Sequence, residues 1–83
     1  MVVGRRVYNL QPHEMQPGDY GLWGDYWWVY PPKEHSGPGC LKLHTVVEHE
    51  DKTITVTPSI LISEDMYMKT WHGFLTKGEW NPC

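Results

Sequence analysis

The stretch Leu43–Ile62, LHTVVEHEDKTITVTPSILI, decides the fold. Two runs rich in β-branched residues, 43–49 and 53–62, flank the polar tripeptide Glu50-Asp51-Lys52. β-Branched residues favour strands, and a short polar linker between two such runs is typical of a β-hairpin. We therefore predict a hairpin here, with Asp51-Lys52 as its two-residue turn.

A two-residue turn fixes the pairing of these strands and the face on which each side chain lies. Val47 is then opposite Val56, and His44 is opposite Ser59. Alternation with a period of two assigns one face to the core and the other to solvent or to a site. The predicted core face contains Val47, Ile54, Val56, Ile60 and Ile62. The opposite face contains His44, Glu48, Thr55, Thr57 and Ser59.

Turn-forming residues punctuate the rest of the chain, which has eight Gly and seven Pro and no sustained helical period. Val2–Tyr8 is predicted as a first strand. Asp19–Tyr30 is predicted as an aromatic-rich hairpin that turns at Gly24-Asp25. The Pro- and Gly-rich segment 31–39 is predicted as a mobile loop.

The last part of the chain combines a short helical signal with a second hairpin. Ser63 before two acidic residues predicts one helical turn over 63–69. Three aromatics, a histidine and two glycines in 71–80 predict a terminal hairpin around Thr76-Lys77-Gly78. Together these segments predict a single domain, 1–83, that is all-β or β-rich with little helix. It would be a small twisted antiparallel sheet or a partly open barrel of four to six short strands.

Composition limits the classes of function. Seven basic against ten acidic residues give a net charge of −3, which disfavours binding to nucleic acid because phosphates require clustered cations. No apolar run approaches the roughly 20 residues of a membrane span, and the N-terminus lacks the apolar core of a signal peptide. Cys40 and Cys83 are predicted to be free thiols in a reducing compartment, which favours the cytoplasm.

Two groups of residues could carry chemistry. Ser59 is a candidate nucleophile, with His44 as its base by the predicted register and His72 as an alternative base whose distance the sequence does not give. Cys40 and His44 have acceptable spacing for zinc, but a zinc site needs about four ligands and no CxxC is present. No cofactor is therefore expected, with zinc as the weak alternative.

Five Trp and five Tyr exceed what a small core hides, so some are expected to be exposed. Exposed Trp and Tyr are typical anchors of protein interfaces. A chain of 83 residues buries only about 60–65% of its unfolded surface, so homo-oligomerisation is also an option. These features favour a protein partner.

The segments Glu48–Ile60, EHEDKTITVTPSI, and Trp71–Trp80, WHGFLTKGEW, resemble the C-terminal half of small phage and bacterial proteins. Some of those proteins carry an ammonia monooxygenase label, which no iron-ligand spacing in this chain supports. Lys52 replaces a glycine of that pattern, and Thr57 replaces a serine. The chain is also distantly similar to a larger bacterial family found beside ubiquitin-like conjugation genes and proposed to be peptidases. That resemblance matches Pro58-Ser59-Ile60 and His72 but lacks the Cys-rich knuckle.

The resemblance implies a phage or bacterial setting, with the host cytoplasm as the location for a phage-encoded protein. The sequence as a whole predicts an accessory protein whose main activity is binding another protein. The alternative is a small Ser/His hydrolase, peptidase-like, that uses Ser59 and a histidine. The sequence alone leaves open whether the protein is an enzyme.

Overall fold

Nine short strands form two sheets in the computed structural model, which describes residues 2–33, 36–62 and 71–83. The five-stranded sheet has the order β1-β9-β8-β7-β6, and the four-stranded sheet has the order β2-β3-β4-β5. Every pair is antiparallel except β2–β3. The strands are β1 (Val2–Val3), β2 (Arg5–Arg6), β3 (Asp19–Trp23), β4 (Tyr26–Val29), β5 (Gly39–Cys40), β6 (Thr45–Glu48), β7 (Ile54–Ile62), β8 (Trp71–Thr76) and β9 (Glu79–Pro82).

These strands confirm the all-β class predicted from the sequence. The described residues contain nine strands in two sheets instead of four to six in one, and the sheets do not close into a barrel. Helix is limited there to one 3₁₀ turn, Pro12–Glu14. The described part of the chain has no helix with the length and apolarity needed to cross a membrane.

The N-terminal segment joins the two sheets. Val2–Tyr8 was expected to be one strand, but the strand is interrupted at Gly4. β1 therefore pairs with β9 in one sheet, and β2 pairs with β3 in the other. The Gly4 N–H donates to the carbonyl of Gly78 at 2.7 Å. A Cβ at Gly4 would lie 2.7 Å from Nε1 of Trp80, so only glycine fits where the chain crosses.

The core lies between the sheets and receives side chains from both. Trp80 is fully buried; its ring meets Trp71 edge-on with centroids 5.2 Å apart, and its Nε1 donates to the carbonyl of Gly18 at 3.0 Å. The edge-on arrangement suits the charge distribution of aromatic rings. The buried hydrophobic cluster comprises Tyr20, Val29, Leu41, Ile54, Val56, Ile60, Ile62, Trp71, Leu75 and Trp80.

The predicted hairpin over 43–62 is present, but its register differs by one residue. His49 pairs with Thr53 around a three-residue turn, Glu50–Lys52, in which Lys52 has φ 73°. Val46 is therefore opposite Val56, and Val47 is 51% exposed instead of facing the core. The other predicted core residues of β7 are buried, and Thr57 is exposed.

A bulge in β7 keeps its alternation intact. Val56 pairs with Leu75 of β8, and Ile60 pairs with Gly73, so three residues of β7 lie opposite Phe74 alone. Because the bulge adds two residues, Val56 and Ile60 still face the core. The Thr57–Pro58 peptide bond inside the bulge is cis.

The other predicted hairpins also form. β3 and β4 turn at Gly24-Asp25, and β8 and β9 turn at Lys77-Gly78, where both residues have positive φ. In the segment 31–39, Pro31 and Ser36 are buried and Gly39 belongs to β5; its mobility stays a prediction. The helical turn predicted over 63–69 lies outside the described residues.

Candidate functional site

Ser59 and His72 meet on the outer face of the five-stranded sheet. Oγ of Ser59 and Nε2 of His72 are 3.0 Å apart, within hydrogen-bond distance. The alternation of β8 directs His72 outward between the buried Trp71 and Gly73, and the bulge in β7 directs Ser59 to the same face. The distance that the sequence left open is thus short enough for a base to accept the hydroxyl proton.

His44 also reaches Ser59, but at a different atom. Its Nε2 lies 3.0 Å from the backbone oxygen of Ser59. A carbonyl oxygen only accepts, so Nε2 of His44 is the donor and carries the proton. The contact expected between His44 and the serine hydroxyl is replaced because the hairpin register is shifted by one residue. In this contact His44 holds the backbone of Ser59 and does not act as its base.

The Ser59–His72 pair is exposed to solvent. It lies beside Leu61, which is opposite His72, and Phe74, which is opposite the bulge; they are 57% and 43% exposed. No acidic group bonds to the ring of His72 within the described ranges. The pair has the distance of a catalytic dyad, but among the residues that the structure describes no third group orients the histidine as a base.

The two residues considered for zinc are associated with different sheets. Cys40 belongs to β5 in the four-stranded sheet, whereas His44 contacts β7 in the other sheet. No three His, Cys, Asp or Glu residues within 2–33, 36–62 and 71–83 are grouped to hold a metal. Cys40 and Cys83 are both free thiols.

The five tryptophans divide between core and surface. Trp71 and Trp80 are buried, Trp27 and Trp28 are half-buried, and Trp23 is 38% exposed. Trp23 pairs with Tyr26 at the end of the β3–β4 hairpin. We name the segment Leu22–Tyr26 the aromatic tip.

Arg6 makes a contact between the sheets that the sequence did not indicate. Its guanidinium lies between the rings of Tyr8 and Trp27, at 4.6 and 4.8 Å from their centroids. Nη1 donates to Oε2 of Glu48 at 2.7 Å and to the carbonyl of Lys52 at 2.9 Å. The hydrogen bond from Arg6 lowers the pKa of Glu48. Only the nearby Tyr8 hinted at this role, since a cation favours an aromatic face.

A shallow depression of about 290 Å³ lies beside the β6–β7 and β8–β9 turns. Its lining residues are His49, Glu50, Asp51, Thr53 and Lys77. Oγ1 of Thr55 joins the two turns, since it lies 2.7 Å from Nε2 of His49 and accepts from the Lys77 N–H at 3.0 Å. The hydroxyl and N–H of Thr53 bond to Asp51 and lower its pKa. These contacts hold the two turns together. The depression lies at one end of β7 and β8, and the Ser59–His72 pair lies towards the other end of both strands.

Comparison of the chain with protein-family models, with curated proteins and with solved structures finds no match. A function has to be inferred from the geometry of the aromatic tip and of the Ser59–His72 pair.

Proposed function

We propose that this protein binds another protein through the aromatic tip. The observation that carries the proposal is the exposure of Trp23 and Tyr26, at 38% and 48%, which lie opposite each other on one face of the β3–β4 hairpin. Isolated apolar residues on a surface need no explanation, but a contiguous group of them indicates a contact surface.

The chemistry of the tip suits the centre of an interface. Trp and Tyr are enriched among the residues that contribute most to binding energy, and charged residues are depleted around them. Asp25 is the one charged residue of the tip, and it lies in the turn. The paired strands present the rings on a rigid hairpin, which reduces the entropy lost on binding. The partner would offer an apolar pocket to Trp23 and Tyr26.

Site-specific photocrosslinking in the source cell tests the tip. A photoreactive phenylalanine at position 23 should give a crosslinked partner, whereas the same residue at Leu43, which is 86% exposed, should not. Purified partner should then bind the Trp23→Ala variant at least about tenfold more weakly, as expected for a buried aromatic anchor. Equal crosslinking at both positions, or unchanged affinity for Trp23→Ala, would contradict the proposal.

The second candidate function is a peptidase-like Ser/His hydrolase, and the 3.0 Å separation of Ser59 Oγ from His72 Nε2 favours it. Ser59 would be the nucleophile and His72 its base. The exposure of the pair to solvent places this candidate second.

A fluorophosphonate probe, which reacts with activated serines, tests the hydrolase. Labelling of the native protein that is lost in both Ser59→Ala and His72→Ala would support it. Ser36, which is buried, supplies the matched serine control, since Ser36→Ala should label like the native protein. Absence of labelling at probe concentrations that saturate a known serine hydrolase would exclude this candidate.

The setting of the protein belongs to the same proposal. The similarity to phage and bacterial proteins supports a bacterial or phage-infected cell, and the two thiols support its cytoplasm.

A further inference from the structure

We propose that His44 is a positioning residue, which fixes the place of Ser59 and thereby its contact with His72. Nε2 of His44 lies 3.0 Å from the carbonyl oxygen of Ser59, and Oγ of the same serine lies 3.0 Å from Nε2 of His72. One histidine thus holds the backbone of the serine while the other meets its hydroxyl. The inference rests on the second candidate function for its chemical use, because a serine nucleophile needs its hydroxyl held at a base.

Ser59 has no ladder partner of its own in either neighbouring strand. It belongs to the three-residue bulge opposite β8, and regular pairing with that strand resumes at Ile60. On its other side, β6 pairs with β7 only as far as Thr57. Backbone polar groups inside a sheet are normally fixed by such ladders. The position of Ser59 therefore depends on contacts other than strand pairing.

The ring of His44 supplies the hydrogen bond that a strand backbone would otherwise donate. Continuing the β6–β7 register would place Leu43 opposite Ser59, but Leu43 lies outside β6 and is 86% exposed. The chain turns there, since the His44 N–H donates to the Leu41 carbonyl at 2.9 Å. The ring N–H of His44 takes the place of the missing backbone donor at the Ser59 carbonyl.

His72, by contrast, is fixed by strand pairing on both sides. It lies opposite Leu61 in β7, and its carbonyl accepts from the Cys83 N–H at 3.0 Å. A shift of the Ser59 backbone would therefore move the hydroxyl away from an imidazole that stays in place. The separation of Ser59 Oγ from His72 Nε2 is thus set from the serine side, where His44 acts.

The second ring nitrogen of His44 allows a selective substitution. Nδ1 is buried and has no hydrogen-bond partner among the described residues. Because Nε2 carries the proton, the polarity of the ring is used at Ser59 alone. His44→Gln keeps an N–H donor, whereas His44→Leu keeps apolar bulk and removes the donor.

NMR of the histidine ring nitrogens tests the proposal. Ser59→Ala provides the reference signals of a His72 ring without the serine contact. His44→Leu should move the His72 signals to that reference, and His44→Gln should leave them at their native positions. His49→Leu is the matched control, because His49 lies in the same hairpin but bonds to Thr55. A role of His44 in stability alone would lower the melting temperature without moving the His72 signals.

Fluorophosphonate labelling measures the consequence for reactivity. If the native protein is labelled at Ser59, His44→Leu should react about tenfold to a hundredfold more slowly, as expected for a misplaced reacting group, and His44→Gln should recover the rate. An unlabelled native protein would exclude the hydrolase, and the NMR signals would then decide the role of His44.

The indole N–H signal of the buried Trp80 reports whether each variant is folded, and His44→Ala repeats the test with a smaller side chain. Native His72 signals in folded His44→Leu or His44→Ala would overturn the proposal. Equal shifts in His44→Leu and His44→Gln, or the same shift in His49→Leu, would also overturn it.

Discussion

The backbone of Lys52 sets the register of the central hairpin. Its φ of 73° lies in the left-handed region, where a Cβ is disfavoured by about 1–2 kcal/mol. The contacts of the turn hold it there: the Lys52 N–H donates to His49 O, and the Lys52 carbonyl accepts from Arg6. Lys52 thus occupies a position that glycine would adopt without strain.

Replacing Lys52 with glycine should stabilise the protein. Glycine adopts positive φ without strain, so we expect the free energy of unfolding to rise by about 0.5–1 kcal/mol. Lys52→Ala is the control, because it removes the same charge and keeps the Cβ. Urea denaturation measures both variants. An equal gain for Lys52→Ala would assign the effect to the side chain instead of the backbone.

Two valines of the hairpin differ in burial and provide a second test. Val56 is 1% exposed and Val47 is 51% exposed. Val56→Ala should lower the free energy of unfolding by about 1–3 kcal/mol, since it removes buried methyl groups and leaves a cavity. Val47→Ala should change it by less than about 0.5 kcal/mol, as is usual for a substitution on the surface. Similar losses for both would mean that Val47 faces the core after all.

Residue patterns predicted which side chains of β7 are buried but not their partners across the strands. Alternation correctly identified Ile54, Val56 and Ile60 as core, because side chains at every second position of one strand lie on the same face. The partner of each residue depends on the turn, and a lysine gives no signal of positive φ as a glycine would. The contact of Ser59 with His72 likewise depends on the bulge opposite Phe74, which the sequence did not reveal.

At the scale of elements, Arg6 fastens β2 to the β6–β7 hairpin of the other sheet. Its guanidinium combines two aromatic contacts with hydrogen bonds to the Glu48 carboxylate and the Lys52 carbonyl. Its side chain is only 12% exposed, so these contacts replace most of its water. Arg5, the next residue, bonds through two nitrogens to the buried Asp19 of β3 and stays within its own sheet.

The Arg6–Glu48 contact should make stability depend on pH on the acid side. The pKa of Glu48 is lowered in the folded state, so its stabilisation is complete above the unfolded-state pKa and is lost as pH falls through the folded-state pKa. Arg6→Gln should raise the pKa of Glu48 towards that of an ordinary glutamate, as measured by NMR titration of its carboxylate. Arg5→Gln is the control and should leave this pKa low. No change on Arg6→Gln would show that the contact does not persist in solution.

The whole molecule is held by a few large side chains and by one crossing of the chain. Trp80 and Tyr20, from different sheets, are both buried against Gly4, where the N-terminal segment passes from one sheet to the other. The crossing explains why strand propensity suggested one strand over Val2–Tyr8. The residues on both sides of Gly4 have strand conformation. The close packing of Gly4 against Trp80 and Tyr20 marks the point at which the chain leaves one sheet for the other.

A methyl group at this crossing should be destabilising. In Gly4→Ala the new Cβ would lie within 3.0 Å of Trp80, Tyr20 and the Gly18 carbonyl, so the sheets must move apart. We expect a loss of about 1–3 kcal/mol, typical of overpacking in a core. Val3→Ala, at a 77% exposed neighbouring position, is the control and should be nearly neutral. Thermal denaturation followed by tryptophan fluorescence measures both.

The sequence predicted the three local hairpins, with turns at Gly24-Asp25, Asp51-Lys52 and Thr76-Lys77-Gly78, because turn chemistry and neighbouring residues determine them. The structure has the second turn one residue longer, at Glu50–Lys52, and the third one residue shorter, at Lys77-Gly78. It did not predict the division into two sheets. The pairings of β1 with β9 and of β2 with β3 join residues that are far apart in the chain, and the β2–β3 pair is parallel. Such pairings depend on the assembled core and leave no periodic pattern in either strand.

The β1–β9 pairing has a consequence for synthesis. Val2 and Val3 are translated long before their partners, Trp80 and Glu79. The five-stranded sheet therefore cannot be completed until β9 has left the ribosome, and distant pairings of this kind form slowly. Until then β1 stays without its partner on the nascent polypeptide, and unpaired apolar strands of this kind are what chaperones engage.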